Sequence, residues 1–494
     1  MIQKVIFDDE IVLYWERQAE YKKGCIYKIK YALETVYTDK THFTIKKTVF
    51  TTEPLSLRVE LLDEMGASLK TLAEETLCCA NPKRRLDVTK PPYNAVGDGK
   101  TLNTQAIQKA IDDCGIDDCV YLPAGVFMTG ALNLHSDMEL FVDVSARLQG
   151  TSCVEDYLPK IKSRYEGIES ECYRSLLNLG QIDNKGGYTT RNVIIRGGGS
   201  VLGGGRALAI NTIERESGEE FNEGGFRNEK QLQAWRSRGR LLQASNCENV
   251  MIADVTIGEG AAWNLHFIYS KNILTCNSKI VSTNVNNGDG WDPDSCENCT
   301  IFNCDFNTRD DMIAIKSGKN PEGNIINRPS KHIKVFDCRC EQGHGLAIGS
   351  EMSGGVEDVC VWDCQMQKSR CGLEIKSRRE RGGYVKNVRV YDSAFSILAI
   401  RSVDYSIDGD SAFVAPILEN FYFENISLTG VCIKHTGETW NESAIILEGF
   451  DGAEHCLKDV RIKNVSIAYR EGEMKQNLTL SCLRGVSIEN IFCG

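Results

Sequence analysis

A nine-residue unit recurs along much of the chain, with apolar residues mostly at its second, fourth, seventh and ninth positions and Asn or Asp at its sixth. Copies run from Asn249 to Ile257, Asn298 to Phe306, His332 to Cys340, Asp358 to Met366, Asn387 to Phe395, Asn420 to Leu428, Asp459 to Ile467 and Gly485 to Cys493, with a weaker one from Asn272 to Ile280. Two short strands flanking a corner account for this pattern. Alternation puts the apolar residues on one face, and an Asx residue at the corner tolerates left-handed backbone and bonds neighbouring amides. Copies are spaced very roughly 20 to 40 residues apart, which fits solenoid turns separated by loops of variable length. A sandwich of short strands gives no reason for the Asx column. The pattern therefore predicts an all-β chain whose main body is a right-handed parallel β-helix.

The first eighty or so residues read differently. Short alternating runs, such as Cys25 to Tyr31 and Leu57 to Leu61, lie between polar turns and predict a small β-sandwich over residues 1–84. A basic, proline-containing stretch from Asn81 to Pro92 leads into the β-helix, assigned to residues 85–494. One helix opens that domain. Ala106, Ile107, Ala110, Ile111 and Cys114 form its apolar stripe, Asn103 or Thr104 suits its N-cap, and Gly115 suits its C-terminal stop. Such a helix would cap the open end of the solenoid.

Four lines of the repeat stack chemistry-bearing residues into columns. Gly288 to Ser295 reads above Asp310 to Ser317, then Gly343 to Ser350, then Arg370 to Ser377, with no gap in register. If each line is one turn, residues in a column lie about 4.8 Å apart. One column holds Asp289, Asp311, His344 and Cys371, with Asp310 beside it. Counting instead from the Asx corner puts His344 level with Asp310, one residue away from that register. By either count the three aspartates and the histidine share one corner of neighbouring turns. Singly, each aspartate reads as a solvated turn residue; stacked with His344 between two glycines, they read as a site. Clustered carboxylates push at least one pKa up, and one acid with one or two bases is what inverting glycoside hydrolysis requires. Calcium is the other reading of such acids, which include Asp292 and Asp294, but Lys316 and Lys376 would repel it. A nearby column runs Asp294, Lys316, Gly349, Lys376 and on to Arg401, with Arg378, Arg379 and Arg381 just beyond. These cations either hold the carboxylate of an anionic sugar or only balance the local acids. Trp291 either stacks on a sugar face or fills a corner.

Charge narrows the partners. A net charge of -11 argues against general affinity for nucleic acid or anionic membranes, so positive charge for an acidic substrate must be local. No apolar run reaches about eighteen residues. Met1 to Glu10 turns acidic without a hydrophobic core of a signal, so the chain reads as cytoplasmic, or as secreted if a signal peptide was trimmed. Many of the 21 cysteines occupy apolar positions of the repeat, where reduced core thiols are expected. Cys78, Cys79 and the cluster Cys296, Cys299 and Cys304 lack histidines at zinc-finger spacing.

At Asn287-Gly288-Asp289-Gly290, Asp310-Asp311, Gly343-His344-Gly345 and Ile375-Lys376 the chain resembles glycoside hydrolase family 28, the polygalacturonases, in motif order. The stretch from Asp87 through Gly97-Asp98-Gly99 to the helix also resembles the entry of these β-helices, so the likeness covers roughly residues 85 to 494. It implies that Asp310 is the general acid, that Asp289 and Asp311 activate water, that His344 supports the acid, and that Lys376 binds a galacturonate carboxylate. It also implies an inverting mechanism without metal or cofactor. The N-terminal module resembles the fibronectin type III sandwich that precedes some exo-acting bacterial members. Two residues depart from the pattern: Gly288 stands where threonine is usual, and Glu374 where arginine is usual. A carboxylate at Glu374 repels a galacturonate carboxylate by roughly 1 kcal/mol if partly desolvated, unless Arg378, Arg401 or Lys316 compensates. The expectation is an exo-acting hydrolase of α-1,4-linked galacturonate oligosaccharides. The alternatives are a related α-glycosidase for a neutral, rhamnose-linked or amino sugar, and a non-catalytic glycan-binding β-helix.

Overall fold

The computed structural model describes residues 2–46, 54–78, 80–183, 186–222, 225–405, 408–468 and 477–494. The chain forms two compact units, Met1–Arg84 and Arg85–Gly494. In the first, two antiparallel sheets hold three and four strands. Gln3–Ile6, Glu10–Tyr14 and His42–Lys46 make one; Glu34–Thr38, Ile26–Tyr31, Leu55–Leu62 and Ser68–Leu77 make the other, in that order across the sheet. Alternate residues of both sheets meet in one core of Ile11, Leu13, Trp15, Tyr27, Ile29, Val59 and Leu61. This three-plus-four arrangement is a small antiparallel β-sandwich, as expected for the first unit.

The second unit is a right-handed parallel β-helix. One turn shows why the sequence folds this way. Glu297–Phe302 forms a first face, Asn303 makes the corner, Asp305–Thr308 forms a second face, residues 309–312 cross over, and Ile313–Ile315 forms a third. The apolar positions of the first face point inward, and Val250, Ile273, Cys299, Ile333 and Val359 lie in register on successive turns with almost no exposure. Each such side chain contributes about 1.5–3 kcal/mol by leaving water.

All nine corner residues have positive φ, from Asp337 at 46° to Asn425 at 59°. A second left-handed column, unmarked in the sequence reading, stands at the first position of every unit: Asn249, Asn272, Asn298, His332, Asp358, Asn387, Asn420, Asp459 and Gly485. Side-chain amides bridge turns along both columns. Asn272 Nδ2 donates to Asn249 at 2.9 Å, Asn303 to Asn277 at 2.8 Å, Asn425 to Asp392 at 2.7 Å and Asn464 to Asn425 at 3.0 Å.

The predicted helix is present as Thr104–Asp112, and Ile107, Ala110 and Ile111 join the solenoid core. Its caps differ from expectation. Asn103 stands at the N-cap but its side chain spans the preceding loop instead, bonding Val96 and Thr101, while Thr104 Oγ1 accepts from Gly130 N. Asp113, not Gly115, is the C-cap. Two further helices, Gly205–Ser217 and Glu229–Arg236, and the hairpin Ile161–Tyr165/Ile168–Cys172 are inserted between turns. The described cysteines are free thiols, mostly buried; Cys296 and Cys304 donate to the Phe267 and Phe302 carbonyls. Cys79 lies outside the described residues.

Candidate active site

The third face sets the register of the site. Trp291 pairs with Ile313, Ile313 with Leu346 and Leu346 with Leu373. Two residues before each pair stand Asp289, Asp311, His344 and Cys371, the column expected from the sequence. The competing count arises because the offset between these two turns differs from corner to third face: Phe306 pairs with Cys340, but Ile313 with Leu346, one residue less. The side chains reconcile the two counts. His344 Nδ1 lies 2.9 Å from Asp310 Oδ1 and 3.7 Å from Asp311 Oδ1. Main-chain bonds fix this crossing, with His344 N donating to Asp310 O at 2.9 Å, Gly290 N to Asp311 O at 2.9 Å and Asn264 N to Asp289 O at 2.9 Å.

These groups line a cavity of about 690 Å³, a volume within the range of small-ligand sites. Asp289 and Asp311 are each 3% exposed, whereas the Asp310 side chain stands nearer the mouth at 28%. Asp311 Oδ2 is held by Lys376 Nζ at 2.6 Å. Asp289 Oδ2 lies 3.5 Å from Lys316 Nζ, and its Oδ1 has no hydrogen-bond partner among the described residues. Lys316 is shared with Asp292 at 3.8 Å and Glu351 at 3.4 Å and lies over the Trp263 ring.

Environment pushes the carboxyls apart. Asp289 is raised well above the usual carboxylate range, first by burial and then by the charges of Asp310 and Asp292, against which Lys316 works. Asp292 is raised too, chiefly by burial. Burial resists ionisation of Asp310 as well, yet His344 and then Lys376 hold its carboxyl below the usual range. Glu351 is likewise buried but is held down to about 2 by Lys316, Arg381 and Lys376. Strongly coupled carboxyls titrate as a set, and within this set burial pushes Asp289 up while His344 and Lys376 draw Asp310 down. Two carboxyls with opposed proton affinities are the raw material of acid–base chemistry.

Most of the residues singled out in the sequence meet here, with different duties for some. Asp289, Asp310, Asp311, His344, Lys316, Glu374, Lys376 and Arg401 all line the cavity. Glu374 is 6% exposed and bonded by Arg401 Nε at 2.7 Å, so the unusual carboxylate brings its own cation from the next turn. Two expectations need correction. Trp291 has no exposure: its ring packs on Phe267 inside the solenoid and its Nε1 donates to Thr275 Oγ1 at 3.1 Å, so it fills the interior. Arg378 does not line the cavity; past Ser377 the chain turns into the short helix Arg379–Arg381, and Arg378 bonds Glu380 and the Tyr405 carbonyl. Asp294 also turns away, into a buried pair with Arg164 at 2.9 Å.

Among the lining residues that the sequence reading missed are Glu166, Trp263, Glu351, Arg370, Tyr405 and Glu442. All but Arg370 come from loops and insertions that carry no period. Arg370 carried a signal, since it shares the column of Asp310 and Gly343. Donor atoms of Asp310, Asp311 and His344 lie within 4.8 Å of one another, close enough for a cation. The Lys376 ammonium on Asp311 already occupies the neighbouring charge position, which disfavours a metal there.

The sequence model of glycosyl hydrolases family 28 matches residues 186–483, more than half of the chain. An exo-poly-alpha-D-galacturonosidase of Dickeya chrysanthemi is 29% identical over 431 residues, covering 80% of this chain and 71% of that protein. A probable polygalacturonase of Vitis vinifera is 29% identical over 338 residues, covering 66% of this chain and 63% of its own. Among solved structures, a hyperthermoactive exopolygalacturonase from Thermotoga maritima superposes with a TM-score of 0.70 at 27% identity, covering 84% of this chain and 92% of that one. The Yersinia enterocolitica family 28 exopolygalacturonase superposes with a TM-score of 0.82 at 22% identity, covering 99% and 98%, a likeness of fold.

Proposed function

Because the chain belongs to glycosyl hydrolases family 28, we propose that it is an exo-acting polygalacturonase, removing sugars with inversion from the end of α-1,4-linked galacturonate oligosaccharides. The observation that carries this reading is the meeting of Asp289, Asp310 and Asp311 with His344 and Lys376 in one cavity, with His344 Nδ1 2.9 Å from Asp310 and Lys376 Nζ 2.6 Å from Asp311.

Asp310, at the mouth and hydrogen-bonded to His344, gives a proton to the glycosidic oxygen as the bond to the anomeric carbon breaks. A water attacks that carbon from the opposite face and passes its proton to Asp289 or Asp311. Asp311 is oriented by Lys376, and Asp289 Oδ1 has its lone pairs free for the water. His344 Nδ1, 2.9 Å from Asp310 Oδ1, holds that carboxyl in place. Asp289 must shed its own proton before it acts as a base, so hydrolysis draws on the ionised form of a carboxyl that burial disfavours. The relatives described as exo-acting support the end-cutting mode.

One observation favours a second reading. Nine carboxylates line the cavity against four permanent cations, a balance that suits a neutral or amino sugar as readily as an acidic one. A ladder of di- to hexagalacturonides and a matching neutral ladder, followed by mass and anomeric NMR, separate the two. Stepwise shortening of the acidic ladder with inverted anomeric configuration is the expected result, and turnover of the neutral ladder alone would replace galacturonate by the second reading. Asp310→Asn is expected to lower the rate on the order of 10²- to 10⁴-fold with an unchanged circular dichroism spectrum; an unaffected rate would remove Asp310 from the chemistry.

A further inference from the structure

Three of the four permanent cations lining the cavity already face carboxylates. Lys316 lies 3.5 Å from Asp289 and 3.4 Å from Glu351, Lys376 lies 2.6 Å from Asp311, and Arg401 lies 2.6 Å from Glu374. A cation so matched offers little to an incoming anion, because its partner repels that anion and the existing bond must be given up. The fourth cation is Arg370. Its side chain is exposed, forms no ion pair with a carboxylate among the described residues, and approaches His344 Nε2 at 3.4 Å through NH1.

Its place is fixed by the solenoid. Arg370 N donates to Gly343 O at 2.9 Å, Cys371 N to His344 O at 2.9 Å, and His344 N to Asp310 O at 2.9 Å. Arg370 therefore stands about two turns, roughly 10 Å, along the axis from Asp310. Further basic residues stand nearby. Arg309, directly before Asp310, donates to the Asn284 carbonyl and forms no ion pair with a carboxylate among the described residues. The hairpin Val431–Ile433/Thr439–Asn441 is tied to Ser369 by Ile433 N at 3.1 Å and brings His435 to the same place. The His435 imidazole is depressed by burial and then by Arg309 and His344, with Asp310 opposing and Arg370 adding a smaller push.

We infer that Arg370 is the residue that selects an acidic sugar: its exposed guanidinium takes the substrate carboxylate in a two-pronged bond, while Lys376 and Arg401 balance Asp311 and Glu374. This rests on the galacturonate reading above and assigns its specificity to a different residue from the Lys376 of the resemblance. A guanidinium suits this duty because its planar fork matches a carboxylate.

The test is titration calorimetry with digalacturonide and with its dimethyl ester, in the Asp310→Asn background so that no turnover occurs. Arg370→Gln is expected to weaken digalacturonide binding on the order of 10- to 100-fold, to leave ester binding unchanged, and to leave the thermal midpoint unchanged; Arg370→Lys should recover part of the loss. An equal loss for both ligands would overturn the inference and make Arg370 a support for His344. Retention of the acid preference in Arg370→Gln would overturn it as well. In that case hydrolysis of the galacturonate ladder by the parent protein would leave the galacturonate reading standing. A parent protein that binds acid no better than ester would sink both.

Discussion

His266 has no exposed surface and lies between Asp294, 3.6 Å from its Nε2, and the edge of the Trp263 ring. Burial pushes its imidazole down to about 4, with Arg240 and Lys316 adding to burial and Asp294 opposing it. A histidine depressed in the folded state is neutral there while the unfolded chain, near 6.5, still binds a proton. Its contribution is therefore complete above about pH 6.5 and is lost as pH falls toward about 4, by roughly 3 kcal/mol. Denaturant midpoints measured from pH 7 to pH 4 should fall in the parent and fall less in His266→Gln; parallel curves would show that another group dominates. Asp289 and Asp292 act with the opposite sign, since they keep protons that the unfolded chain has shed. At this scale the sequence told residue types but not directions. Asp289, Asp310, Asp311 and His344 were legible because they share a column. Trp291 was not, because adjacent residues of a strand point to opposite faces and one of those faces is the solenoid interior. The Glu374–Arg401 pair needed both side-chain length and the neighbouring turn.

Within the turns, the strands follow from alternation and the corners from Asx chemistry, and both were legible. The column at the first position of each unit was hidden by its variety, since Asn, His, Asp and Gly look unrelated until φ shows what they share. A left-handed residue other than Gly or Asx costs roughly 1–2 kcal/mol. Asn425, at φ 59° and bonded to Asp392 and Asn464, tests the two contributions separately. Asn425→Ala loses both conformation and amide bridges and should lower stability by about 2 kcal/mol or more. Asn425→Gly loses only the bridges and should fall by roughly half as much. Equal losses in chemical denaturation would mean that the bridges alone matter. The insertions that carry Glu166 and the helices beside it had no such code, because a loop joining two turns is free to vary so long as its ends meet the strands.

At the scale of the whole chain, every residue of the cavity belongs to Arg85–Gly494. Excision of Met1–Arg84 is therefore expected to leave kcat on a trigalacturonide unchanged, and a lost kcat in a folded truncation would give the sandwich a part in the chemistry. The four stacked lines were legible as one site because a solenoid converts sequence period into spatial adjacency; the wall was not, since it is built where the period is interrupted. The fixed rise from turn to turn also makes the scaffold a ruler with one coarse graduation. Main-chain anchors can be moved along it only in whole steps of about 4.8 Å, and any finer setting must come from how far a side chain reaches. Lys376 reaches back to Asp311 and Arg401 back to Glu374, each spanning turns that no backbone adjustment could bring closer. Swapping a long side chain for a short one in this site is thus equivalent to moving a functional atom by a graduation, and a charge lost from one turn can be restored by lengthening a residue on the next.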